Sequence, residues 1–171
     1  MEYLLIVDYG SDAERKRIDY TIERWGGRAE VSKPKGTAII FEGPMIDEFL
    51  EDLYSRIEGD KEKIAVYRIE DYHPEVEERV RRLRYESNED LDVIEKFLTY
   101  LMSRIGAGYE YTSGGVKYYS ISTKKGQAFI EIALKSGAAT MVTITVRGYG
   151  EVVDFLANKI NEEMGVFLRG G

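Results

Sequence analysis

The chain has 171 residues, 43% apolar and 32% charged, the composition of a globular protein with a core and not of a disordered segment. It has no cysteine and one histidine, which excludes disulfides, thiolate catalysis, Cys-built zinc sites and multi-histidine metal sites. The net charge of −7 is uneven: residues 1–73 carry 11 basic and 17 acidic side chains, residues 74–171 carry 13 and 14.

Residues 3–8 are apolar on both faces, as in a central strand covered on both sides. Gly10, Ser11 and Asp12 offer a turn and an N-cap, with Asp12 as the capping acid. Residues 13–25 then carry Ile18, Ile22 and Trp25 at helical spacing until Gly26 and Gly27 stop the helix. Residues 28–33 read as a weak strand, 34–36 as a turn and 37–41 as a strong strand. Gly43 and Pro44 open a second helix whose stripe includes Ile46, Phe49, Leu50, Leu53 and Ile57. Glu58, Gly59 and Asp60 end it, and residues 64–69 form a last strand. The order β-α-β-β-α-β is the split motif of a ferredoxin-like domain. Two helices cover one face of its antiparallel sheet, and the other face needs a cover.

His73 and Pro74 mark the expected boundary, giving a ferredoxin-like domain over 1–72 and a second domain over 73–171. Residues 75–84 carry Val76, Val80 and Leu83 at helical spacing and predict a charged helix. A cap at 87–90 restarts a helix with Ile94, Leu98, Leu101 and Met102 inward, ended by Gly106. Strands follow at 109–112, 116–123, 127–135 and 140–147. The last two alternate cleanly, with Ala128, Ile130 and Ile132, then Val142, Ile144 and Val146, facing inward. Residues 151–164 form the final helix. The fold class is therefore α+β: a ferredoxin-like βαββαβ domain followed by an αβββ(β)α domain with an antiparallel sheet.

Over residues 3–70 the chain resembles the small ferredoxin-fold subunit of the CRISPR adaptation machinery. The resemblance lies in Asp8 beside Tyr9, the basic run Arg15-Lys16-Arg17, Phe41-Glu42-Gly43 closing a strand, and the run from Gly59 to Arg68. It implies a metal-dependent nuclease with Asp8 at the metal, although here the acid precedes the aromatic. The topology is also similar to an RNA recognition motif, with Lys35-Gly36-Thr37-Ala38-Ile39-Ile40 in place of its aromatic strand. Thr37 and Ile39 stand where bases would stack. The second half is similar in element order to a double-stranded RNA-binding domain, with Glu151 and Asp154 where that family places a basic run.

Aromatics and cations interleave in the second-half strands, and residues 106–150 hold five basic and two acidic side chains. Such a face suits single strands, through stacking and charge, or a protein interface, where aromatics and arginine are enriched. Tyr119, Lys124, Lys125, Phe129 and Arg147 are the candidate ligand- or nucleic-acid-binding residues. No serine sits in a nucleophile-elbow pattern and His73 precedes a proline with no obvious partner, so no catalytic residue is assigned. Asp8, Asp12 and Glu42 could meet at one sheet end around a divalent cation. A metal is expected at Asp8 only in the nuclease reading, and no cofactor is expected.

No run approaches the ~20 apolar residues of a membrane helix, so no membrane partner is expected, and the short apolar start lacks a basic leader and a small-residue cleavage site, which argues against a signal peptide. The expected location is the cytoplasm, and the few prolines with many Lys, Arg, Glu and Tyr suggest a thermophile. The leading expectation is a non-enzymatic protein that binds or assembles through its sheet faces, as a homodimer or higher oligomer. A nucleic-acid-binding protein using the second-half sheet is the first alternative, and a nuclease at Asp8 the second.

Overall fold

The computed structural model describes residues 2–59 and 61–170. Asp60, expected to end the second helix, and the terminal Gly171 lie outside them. The chain divides into two compact units, Met1–Ile69 and Glu70–Gly171.

In the first unit, helix α1 spans Asp12–Trp25 and α2 spans Ile46–Arg56, with a single 3-10 turn at Lys61–Lys63. The N-cap of α1 is Ser11, one residue before the expected Asp12. Its hydroxyl accepts from the Glu14 N–H at 3.2 Å, while the Glu14 carboxylate accepts from the Gly10 N–H at 2.9 Å. One orphan donor of the first turn is so satisfied, and Glu14 ties the residue before the cap back to the helix. Phe41 stacks on Phe49 of α2 at 5.1 Å. The stretches 3–8, 28–33, 37–41 and 64–69, expected as strands, carry no ladder, and no described residue of this unit is buried. A strand apolar on both faces needs cover on both. Helices α1 and α2 are the regular elements of this unit that could supply it, and neither buries a residue.

The second unit is built on a five-stranded antiparallel sheet: β1 Arg79–Ser87, β2 Gly108–Ser113, β3 Val116–Thr123, β4 Gly126–Lys135 and β5 Thr140–Gly148. The spatial order is β1-β5-β4-β3-β2. Helix α3, Leu91–Ile105, joins β1 to β2, and α4, Val152–Arg169, follows β5.

The helix expected over 75–84 is absent: residues 75–78 are irregular and β1 begins at Arg79. Val76, Val80 and Leu83 fit a helical period, but Leu83, Tyr85 and Ser87 fit the alternation of a strand. Pairing decides between them. β1 runs along β5 residue for residue, from Arg79 opposite Gly148 to Ser87 opposite Thr140. Without it, β5 would end the sheet as a long edge of β-branched residues, the kind of edge that folds avoid. The unit is thus β-α-β-β-β-β-α.

Both helices lie on one face. α4 crosses β1, β5 and β4. α3 is tied to β3 by Lys117 Nζ, which donates to Glu95 Oε1 at 2.5 Å. Phe97 of α3 stacks on Phe167 of α4 at 3.9 Å, and Arg104 pairs with Glu163 at 3.0 Å. Ile94, Leu101 and Met102 of α3 and Leu156, Ile160 and Met164 of α4 are fully buried against Ile130, Val142, Ile144 and Val146 of the sheet. Each such side chain contributes about 1.5–3 kcal/mol on leaving water. Gly106, at φ +84°, ends α3 in the left-handed conformation, and the Ala107 N–H closes back on Met102 O at 2.9 Å.

Candidate interaction surface on the open sheet face

Among the described residues, the helices of this unit pack on one side of the sheet only, and the other side carries no element of the unit. Its side chains are set by the register. Val80, Arg147, Phe129 and Ser120 form one cross-strand row. Arg82, Thr145, Glu131, Tyr118 and Tyr111 form the next, and Arg84, Thr143, Ala133, Val116 and Ser113 a third. Glu86, Met141 and Lys135 close the face at one end.

A bulge in β2 shapes the tyrosine end. Tyr109 and Tyr111, two residues apart, would share a face in a regular strand. The register slips between them. Tyr109 therefore meets Tyr119 edge-on at 5.7 Å on the helix side, while Tyr111 stacks on Tyr118 at 4.6 Å on the open side. Gly114 and Gly115, at φ +57° and +78°, form the two-residue turn that returns the chain into β3.

The charges are unevenly paired. Arg147 Nε lies 3.3 Å from Glu131 Oε1, close enough for an ion pair, yet the angle leaves this buried nitrogen without a formed hydrogen bond. The Ser120 hydroxyl donates to the Glu110 carboxylate. Among the described residues, Arg82, Arg84 and Lys135 take part in no ion pair. By contrast Arg79 and Arg81, on the helix side of β1, both reach Asp154 of α4, at 3.2 and 2.6 Å. A shallow depression of about 380 Å³ lies between Tyr118, Phe129, Arg147 and Glu110.

Of the residues expected from the sequence, Phe129 and Arg147 stand directly opposite each other on this face, and Phe129 is 49% exposed. Tyr119 belongs to the opposite side and is 6% exposed, within the core. It is adjacent to Tyr118, and the two-residue period sends neighbours to opposite faces. Lys124 and Lys125 form the β3–β4 turn, off the face. Lys125 Nζ sits 3.5 Å from Glu151 and 5.4 Å above the Phe155 ring, so it leans on α4. Sequence reasoning missed Arg82 and Arg84 because it wound their segment into a helix. The alternation of Leu83, Tyr85 and Ser87 was the available signal.

Asp8 and His73 are exposed. Among the described residues no three His, Cys, Asp or Glu side chains gather as a metal ion requires, and no helix is long and apolar enough to cross a membrane. Comparison with protein-family models, with curated proteins and with solved structures gives no match to this chain.

Proposed function

We propose that the chain is a non-enzymatic binding and assembly module that works as a homo-oligomer, with the open sheet face as its contact surface. One observation carries this reading. A sheet face left to water is expected to be polar throughout, whereas this one sets Phe129, Tyr111, Tyr118, Val80 and Met141 among its arginines, threonines, serines and glutamates, with a single lysine. Aromatics, Met and Arg are enriched at protein interfaces, and Lys is depleted. Five strands about 4.8 Å apart and some eight residues long span roughly 650 Å² of flat area. That is close to the ~800 Å² per partner of a standard interface.

In the same reading the first unit is a ferredoxin-like domain, supported by helices at the two helical positions of βαββαβ, and the protein is cytoplasmic, supported by its cysteine-free composition. Light scattering on nuclease-treated protein tests the assembly. A dimer is expected, and Phe129→Asp should weaken it about 30-fold, as loss of a central aromatic anchor does. A wild-type monomer, or a dimer indifferent to Phe129→Asp, would overturn the reading.

A second reading is single-stranded nucleic-acid binding. It is favoured by Arg82, Arg84 and Lys135, cations without ion pairs on the face that also carries stacked tyrosines. It requires binding of short RNA or DNA that weakens steeply with salt.

A further inference from the structure

Resting on the self-association proposed above, we infer that two copies pack open face to open face about a two-fold axis running along the central strand β4. A closed homodimer of two faces has its axis in the plane between the sheets. For sheets packed in alignment, that axis runs either along the strands or across them. An axis across the strands through the middle of the face lays β1 on its own copy, so Arg82 meets the partner's Arg84, like charges with no carboxylate already bound to them among the described residues, and Glu86 meets only the partner's Val80. An axis along β4, the middle strand of β1-β5-β4-β3-β2, exchanges the two halves of the sheet.

β1 then lies over the partner's β2, and β5 over the partner's β3. Arg82 meets the stack of the partner's Tyr111 on the partner's Tyr118, a cation–π contact. Arg147 meets the partner's Ser120, whose hydroxyl is hydrogen-bonded to a carboxylate. The arginine half of each copy so faces the tyrosine and Glu110 half of the other. On the axis, Phe129 and Ala133 meet their own copies. Glu131 also meets its copy, but with its charge held by Arg147 at 3.3 Å. Lys135 falls at the end of the face, where water screens it.

The protein has no cysteine, so single-cysteine variants give unambiguous cross-links. A bis-maleimide short enough to bridge only facing side chains of sheets about 10 Å apart is the probe. Ala133→Cys should cross-link to itself. Arg84→Cys should not, because its two copies sit four strand spacings apart, about 19 Å. Mixed with Ser113→Cys, which faces it in the same row, Arg84→Cys should cross-link efficiently. Self-cross-linking of Arg84→Cys, or failure of the mixed pair in a sample whose mass is dimeric, overturns the axis and leaves self-association standing. A monomeric mass overturns both.

Discussion

Gly148 sits where three strands meet, opposite Arg79 of β1 and Ala128 of β4, one residue after Arg147 of the open face. A Cβ added there would lie 2.9 Å from the Gln127 carbonyl oxygen, 3.4 Å from Ala128 Cα and 3.5 Å from Ala128 Cβ. Two of these contacts are main chain, which cannot swing aside, so the ladder itself must shift. Overpacking of this kind costs about 1–3 kcal/mol. Gly165 provides the opposite case within the same unit. It lies inside α4, and its added Cβ would meet only the mobile end of Arg169, at 3.5 Å. Replacing a helical glycine with alanine contributes about 0.5–1 kcal/mol. Urea unfolding followed by circular dichroism should therefore lower the midpoint for Gly148→Ala and raise it for Gly165→Ala. With a slope of about 1–3 kcal/mol per molar urea, the two variants should differ by roughly 0.5–4 M. Equal midpoints, or a reversed order, would refute the close β4–β5 approach on which the face depends.

Tyr85→Phe removes a 2.7 Å hydrogen bond to Asn161 Oδ1 on α4 and should cost about 1 kcal/mol. Burial also raises the Tyr85 hydroxyl above the ordinary tyrosine value of 10.0. The unfolded chain loses that proton first, so stability should fall as pH rises past 10, and less so in Tyr85→Phe; an unchanged alkaline slope in the variant would contradict this. Lys117→Met deletes the contact with Glu95, whose hydrogen bond raises the ammonium above its usual 10.5. That contact contributes at neutral pH and is lost as pH climbs through the raised value. Because both side chains are partly exposed, the loss at pH 7 should stay under about 1 kcal/mol by urea titration. Asp154→Asn frees Arg79 and Arg81 together and should likewise cost no more than about 1–2 kcal/mol, the pairs being exposed; a larger loss would mean that the clamp holds β1 in place.

The parts of the fold legible in the sequence are those where a single period speaks. α3, β4 and β5 lie close to their expected bounds because apolar residues repeat there at one spacing only. α4 runs to Arg169, past the expected end at 164, because Phe167 and Leu168 extend its buried stripe. β1 was illegible because its residues satisfy two periods, and its partner, β5, lies some sixty residues further on, where local spacing says nothing. Tyr119 was misassigned to the surface by one residue of phase. Adjacent Tyr118 and Tyr119 are chemically alike, and only pairing with Glu131 and Ile130 tells which one faces the core. The β2 bulge left no mark in composition, yet it alone carries Tyr111 to the open face. In the first unit the two helices were legible from caps and stripes. Its strand-like stretches keep the sequence pattern without the ladder, since pairing depends on cover that local residues do not encode.

The most direct test is the solution mass of nuclease-treated wild-type protein beside Phe129→Asp, each with and without short mixed oligonucleotides at low salt. The account expects twice the 19.6 kDa chain for the wild type, unchanged by oligonucleotide, and a shift toward monomer for Phe129→Asp. A monomeric wild type whose mass rises with oligonucleotide and falls back with salt would contradict self-association and assign the open face to nucleic acid.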